Sequence, residues 1–338
     1  MPLCFFVAKE ATITLLIIVF EISLSSPISE SSCVKLYFCP LSPALMDSDI
    51  KATIRSWLPQ DEIDKVDRYI QQSAKTQGLM VRGYLRALLS NHGQFQPDEW
   101  QFEYGDKGKP RLTAAQYERS GIDFNLSHSG DWLLLAIHQQ PLLNKAPSTV
   151  EPTIELGVDI ERCRKSTNIH SILNHYFSKP ETAALLALPS ELQRDRFFDL
   201  WALKESYIKA KGLGLALSLK SFGFDLTTME QSLLTLKSSE QLQPELLSCG
   251  LMQQMVFKQG VSLQLFDKVE TVDVKSDVTN DVTTELLVVE AAHWDCVLGH
   301  LDKDYRFTIS VRGLSYQDKS VEYDAEVVII NAVVQSTS

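Results

Sequence analysis

The run Ile154-Glu155-Leu156-Gly157-Val158-Asp159-Ile160-Glu161 limits what this chain can fold into more than any other segment. Ile154, Leu156, Val158 and Ile160 occupy its even positions, and Glu155, Asp159 and Glu161 its odd ones. A period of two belongs to a β-strand, whose successive side chains point to opposite faces. One face of this strand is core, and Asp159 and Glu161 point together out of the other.

The segment Arg194 to Lys211 reads as a helix on which Trp201, forty residues beyond Glu161, shares one face with Glu205 and Lys209 at four-residue spacing. Glu205 lies among Trp201 and Ile208, and a carboxylate against bulky apolar groups is costly unless it is hydrogen-bonded, paired or bound to a cation. Taken alone, the pattern also fits a surface Glu205–Lys209 ion pair worth only about 0.3 to 0.5 kcal/mol. Asp159 and Glu161 change the weighing, because three carboxylates suit Mg²⁺, which completes its shell with water and substrate phosphates. Lys204, Lys209 and Lys211 add charge for phosphate oxygens.

The rest of the chain mixes strands and helices. Val34 to Phe38 alternates as a first strand, and Asp61 to Ser90 reads as a helix broken near Gly78, with solvated Arg82 and Arg86 as its plain reading. Trp100 to Tyr104 is a strand before the turn Gly105-Asp106-Lys107-Gly108-Lys109-Pro110. Ile122 to Leu126 and Trp132 to Ile137 flank Ser127-His128-Ser129-Gly130-Asp131. Pro180 to Leu188 reads as a helix with proline in its first turn, and Gly212 follows the end of the helix over 194–211. Phe222 to Phe224, Val261 to Leu265 and Tyr305 to Val311 read as strands. The resulting division is a leader over 1–33, an N-terminal lobe over 34–150 ending in the Pro-containing stretch Leu142 to Glu151, a C-terminal lobe over 151–315 with an acidic insertion around 267–284, and a tail over 316–338.

With 338 residues the chain has room for two packed lobes. Hydrophobics at 44% and charged residues at 22% exclude a disordered or polytopic membrane protein. The net charge of −11 argues against nucleic-acid binding, which needs a surplus of Lys and Arg. Most of that charge lies beyond Thr227, so an anionic ligand has to meet a local basic cluster. Six cysteines without zinc spacing imply free thiols in a reducing, cytoplasmic compartment. The apolar run Ala11 to Phe20 before Ser23-Leu24-Ser25 keeps a signal peptide open as the alternative. Lys9 beside Glu10 and the shortness of the run stand against it.

Gly157-Val158-Asp159-Ile160-Glu161 resembles the G-[IV]-D-x-E strand of the 4'-phosphopantetheinyl transferases, and Trp201-Ala202-Leu203-Lys204-Glu205-Ser206-Tyr207-Ile208-Lys209 resembles their W-x-x-K-E-[SA]-x-x-K helix. Gly108-Lys109-Pro110 and Asn125-Leu126-Ser127-His128-Ser129 agree, in the order of the two-lobed Sfp-type members of that family. The likeness covers about Val34 to Asp225. It implies an α+β fold of two similar lobes related by pseudo-two-fold symmetry, with the active site in the cleft between them, in a monomer. It also implies transfer of the phosphopantetheine arm of coenzyme A to a serine of an apo acyl or peptidyl carrier protein, with Mg²⁺ as cofactor.

By position, the resemblance makes Asp159, Glu161 and Glu205 the metal ligands, and Glu205, Lys209 and Asp159 the catalytic residues, with Glu205 as candidate base. Lys109, Pro110, Ser127, His128, Lys204 and Lys209 become coenzyme contacts, with Lys109 and His128 toward the 3'-phosphate and adenine. Gln77 stands where many members carry an arginine, leaving Lys65, Arg68, Lys75 or His128 to hold the 3'-phosphate. Phe177, Leu185 and Leu186 are candidates for carrier docking. A relative that binds coenzyme A or a carrier without catalysis is the alternative function.

Overall fold

Strand β1 (Cys33–Pro40) buries both of its faces, Val34, Leu36 and Phe38 in one core and Tyr37 and Cys39 in another. Such a strand belongs inside a sheet with both faces covered. The computed structural model describes residues 33–140, 154–238, 254–268, 286–291, 293–314 and 321–337. Within these, nine strands form one mixed sheet. Its order is β4 (Ile122–Ser129), β5 (Trp132–Gln139), β1, β14 (Glu322–Val327), β8 (Glu230–Ser238), β9 (Gln254–Gln259), β12 (Trp294–His300), β13 (Tyr305–Arg312) and β6 (Glu155–Arg162). The hairpin of β4 and β5 lies antiparallel beside β1, and the hairpin of β12 and β13 lies antiparallel beside β6. Each lobe thus repeats one arrangement, in an α+β fold.

The edge strands β4 and β6 come side by side, so the sheet curls around a core that holds Leu36, Phe38, Leu134, Val158, Ile160, Phe307, Ile309 and Ala325. Helices cover the outside. In the N-terminal lobe these are α1 (Ser48–Trp57), α2 (Gln60–Asp67), α3 (Gln72–His92) and α4 (Ala114–Ser120), next to a hairpin of β2 (Phe102–Tyr104) and β3 (Pro110–Leu112). In the C-terminal lobe they are α5 (Ile169–Tyr176), α6 (Lys179–Leu186) and α7 (Ser190–Lys211), packed with a small sheet of β7 (Phe222–Asp225), β10 (Ser262–Lys268) and β11 (Leu286–Glu290). Among the described residues, no helix is long and apolar enough to cross a membrane.

Several expectations need correction. Residues 321–337 are not a tail: β14 is parallel to β1 on one side and to β8 on the other, and so joins the two lobes. Helix α8 (Ile330–Ser336) then returns to the N-terminal lobe, where Ile330, Val333 and Val334 enter the core beside α1 and α3. The helical break falls at Arg68–Gln71 rather than near Gly78, which lies inside α3 and leaves room for the ring of Tyr69. Arg86 is not solvated; its guanidinium is buried against Glu62 and the carbonyls of Pro97 and Trp100. Phe177 and Leu185 are core residues and present no surface to a carrier, whereas Leu186 is exposed. Of the leader expected over 1–33 only Cys33 is described, as the first residue of β1, and of the insertion around 267–284 only 267 and 268, at the end of β10; the rest of both and the stretch Leu142 to Glu151 lie outside the described residues.

Candidate active site

The site is assembled by the contact of α7 with β6. At Gly157 a Cβ atom would overlap the carbonyl oxygen of Ser206 and the backbone of Ala210, so only glycine lets the helix lie this close. Ser206 and Ala210 are themselves small and face the strand, Thr308 Oγ1 on β13 donates to the Ala202 carbonyl at 2.7 Å, and the Ser206 and Ser310 hydroxyls meet at 2.8 Å. Docked in this way, α7 keeps Trp201, Glu205 and Lys209 only partly buried while Ala202, Leu203, Lys204, Ser206, Tyr207, Ile208 and Ala210 are enclosed. The partly open face is the one that the four-residue spacing predicts.

Lys209 spans the seam between the lobes. Its Nζ donates at 2.6 Å to Asp159 Oδ1 on β6 and at 2.6 Å to Ser127 Oγ on β4, while Ser127 Oγ donates to the same Asp159 oxygen at 2.8 Å. Asp159 and Ser127 are buried. Glu161 and Glu205 are half-buried, and both carboxyls are pushed above the usual range, first by desolvation and then by repulsion from Asp159. Arg164 and Lys209 pull Glu161 back, and Lys209 pulls back Glu205. Lys209 thus faces all three carboxylates, with Arg164 adding to it at Glu161.

The donor chemistry, three carboxylate groups of hard oxygen, fits a magnesium-like ion. Among the described residues, no three His, Cys, Asp or Glu side chains are gathered into a ready-made cage. The Lys209 ammonium takes the Asp159 oxygen on this side.

The expected coenzyme contacts fall into three places. His128, at the open end of β4, has its imidazole pushed below the ordinary range by desolvation and then by Lys209 and Arg82. Arg82 on α3 reaches the Gly78 carbonyl at 2.9 Å and Glu62 at 3.5 Å, and with Lys209 and His128 it forms a basic corner suited to an anion. Sequence reasoning missed this use of Arg82, because only the packing of α3 against the β4–β5 hairpin brings it to His128. Gln77 instead donates to the Gly130 carbonyl at 3.3 Å, and Lys65 lies over the Tyr104 ring and pairs with Asp61.

Lys109 and Pro110 line a separate cavity of about 500 Å³ between the β2–β3 hairpin, the start of β4 and the end of α7. Lys109 Nζ donates to the Leu156 and Ala210 carbonyls at 2.9 and 3.1 Å, and burial lowers its pKa to about 8. Asp123 in the same cavity rises to about 7 by desolvation, although Tyr117 donates to it at 3.2 Å.

Lys204, expected as a phosphate contact, is enclosed within the C-terminal lobe. Its side chain is 0% exposed, and Nζ is held at 2.8 Å by each of Glu181 Oε2, the Leu219 carbonyl and the Phe222 carbonyl. Glu181 closes the capping box of α6 with Ser178, so Lys204 ties α7 to α6 and β7.

The model of the 4'-phosphopantetheinyl transferase superfamily matches residues 155–250, and that of the 4'-phosphopantetheinyl transferase N-terminal region matches residues 46–140. The chain is 31% identical over 198 residues to the 4'-phosphopantetheinyl transferase HetI of Nostoc sp. (strain PCC 7120), covering 58% of this chain and 76% of that protein. It is 30% identical over 171 residues to the 4'-phosphopantetheinyl transferase Sfp of Bacillus subtilis, covering 51% and 67%. With the L-aminoadipate-semialdehyde dehydrogenase-phosphopantetheinyl transferase of Mus musculus it shares 26% over 187 residues, covering 53% and 56%.

Proposed function

The chain belongs to the 4'-phosphopantetheinyl transferase superfamily, and from that premise we propose how its own residues carry the 4'-phosphopantetheine arm of coenzyme A to a serine of an apo carrier protein. The observation that carries the reading is the convergence of Lys209, Asp159 and Ser127 at the lobe seam, with Glu161 and Glu205 beside them. Asp159, Glu161 and Glu205 would hold Mg²⁺, and Lys209, which now occupies Asp159 Oδ1, would have to yield that oxygen to it. The ion, when bound, draws charge from the pyrophosphate oxygens.

Glu205 takes the proton of the carrier serine as its Oγ attacks the phosphorus that bears the pantetheine arm. The bond to the second phosphate breaks, and adenosine 3',5'-bisphosphate leaves. Lys209 is placed to follow the charge that develops on the departing oxygen. His128 and Arg82 form the basic corner for the 3'-phosphate, and the cavity beside Lys109 and Pro110 is open to the nucleoside end. Both lobes come from one chain, which favours a monomer. The thiols of Cys33, Cys39, Cys163 and Cys296 are free, which favours the reducing cytoplasm.

Incubation with an apo acyl carrier protein, coenzyme A and Mg²⁺, followed by the intact mass of the carrier, tests the reading. A gain of one phosphopantetheine that needs Mg²⁺ and is lost by about a hundredfold or more in Glu205→Gln is the expected result. Tight coenzyme A binding with no transfer to several carrier types would instead favour a binding module.

A further inference from the structure

Asn125, Ser127 and Ser129 alternate along β4, and all three side chains turn toward β6. Asn125 Oδ1 accepts the Val158 N–H at 2.9 Å. Two residues on, Ser127 Oγ donates to Asp159 at 2.8 Å. Two further on, Ser129 Oγ accepts the Arg162 N–H at 3.2 Å, one residue past Glu161. Asn125 and Ser129 are both buried, at 3% and 8% exposure.

These contacts sit where a sheet would ordinarily fail. Strands β4 and β6 stand at the two ends of the strand order, so neither has a ladder partner on the side where they meet. Buried N–H groups left without an acceptor are costly, and here side-chain oxygens take the place of backbone carbonyls. The order of contacts also fixes register. Polar residues at every second position of β4 meet β6 in turn at Val158, Asp159 and Arg162, and a slip of one residue would turn the Asp159 and Glu161 carboxylates to the other face.

We infer that Asn125 and Ser129 are positioning residues: they pin β6 across the lobe seam on either side of Asp159 and Glu161, so that the strand carrying both carboxylates is held in place. The kinetic arm of the test rests on the transferase reading above; the exchange arm does not.

Residue-resolved amide exchange is measured on the full chain. Asn125→Ala is expected to speed exchange at Val158 and not at Arg162, and Ser129→Ala the reverse, each by about fivefold or more. Ser129→Thr keeps the hydroxyl and is expected to retain slow exchange at Arg162, which keeps the test alive should the alanine variant fold poorly. In transfer assays, Ser129→Ala is expected to raise the Mg²⁺ needed for half-maximal rate by about 10- to 100-fold, the usual cost of losing an outer-shell contact, because the strand that carries Glu161 loses its hold at Arg162. The KM for coenzyme A should hold, and threonine should restore the rate. Equal protection of both amides in the alanine variants, or a threonine variant as impaired as alanine, would overturn the inference. So would a KM for coenzyme A that rises in step with the Mg²⁺ requirement. Absence of transfer by the unmodified chain would sink the transferase reading alone, and the exchange pattern would still decide the seam.

Discussion

The Lys209 ammonium rests 2.6 Å from Asp159 Oδ1, on another element, and not on Glu205, one turn back on its own helix. A Glu205–Lys209 pair would have been a local feature of α7, worth a few tenths of a kcal/mol. The observed pair is made only when α7 is docked on β6, and its Asp159 side is nearly closed to solvent, at 7% exposure. Charge placement at the site is thereby coupled to helix–strand packing.

Gly157→Ala tests that coupling. The added methyl would meet backbone atoms of Ser206 and Ala210, which cannot rotate away as a flexible side chain could. Overpacking of this kind costs typically about 1 to 3 kcal/mol and can cost more against backbone. The variant is expected to melt well below the unmodified chain and to lose transfer by at least about a hundredfold, because a misplacement of about 1 Å has that cost. A variant with normal melting and normal rate would show that the close approach is not what assembles the site.

Lys209 and Asp159 form a pair in which removal of one partner leaves the other stranded. Lys209→Met leaves the buried carboxylate without its cation, a loss of about 3 to 5 kcal/mol for buried pairs, at the low end here because the lysine is 29% exposed. Asp159→Asn in the same chain removes the stranded charge. Denaturant unfolding of both single variants and the double variant is expected to show recovery of stability in the double variant, with transfer lost in all three. Additive destabilisation would mean that the two side chains do not act as a pair.

Much of this arrangement was legible in the sequence. The alternation over 154–161 announces a strand with Asp159 and Glu161 on one side, and the spacing of Trp201, Glu205 and Lys209 announces the half-open face of α7. What the sequence withheld depends on distant partners. Val321, Tyr323, Ala325 and Val327 alternate as plainly as Val34, Leu36 and Phe38, yet nothing local says that β14 slots in parallel between β1 and β8. Lys204 precedes Glu205 by one position, about 100° around the helix. That turn carries it from the open face into the core, and its reason for being there is Glu181 on another helix.

Lys204→Met therefore separates a structural lysine from a coenzyme contact. Methionine fills similar volume but strands Glu181 and leaves the Leu219 and Phe222 carbonyls without their donor. Loss of stability of about 3 to 5 kcal/mol is expected. Any variant that remains folded at low temperature is expected to keep the KM for coenzyme A. A raised KM with unchanged melting would return Lys204 to the phosphate site.

A pH dependence of stability follows from His92, remote from the seam. Tyr37 Oη and His92 Nε2 lie 2.6 Å apart, a hydrogen bond that a neutral ring makes as donor or acceptor according to its tautomer. Burial, and then Lys35, lower this histidine from 6.5 to about 4. Between those values the unfolded chain binds the extra proton, so stability rises with pH across the window. His92 contributes fully above about pH 6.5, and its contribution is lost as pH falls toward 4. The unmodified chain and His92→Gln are compared by denaturant unfolding at pH 7.5 and at pH 5. The glutamine variant is expected to be the less stable at pH 7.5, with the gap narrowing at pH 5 because the unmodified chain alone bears the cost of keeping a buried ring neutral. A gap of the same size at both pH values would place the acid sensitivity elsewhere in the fold.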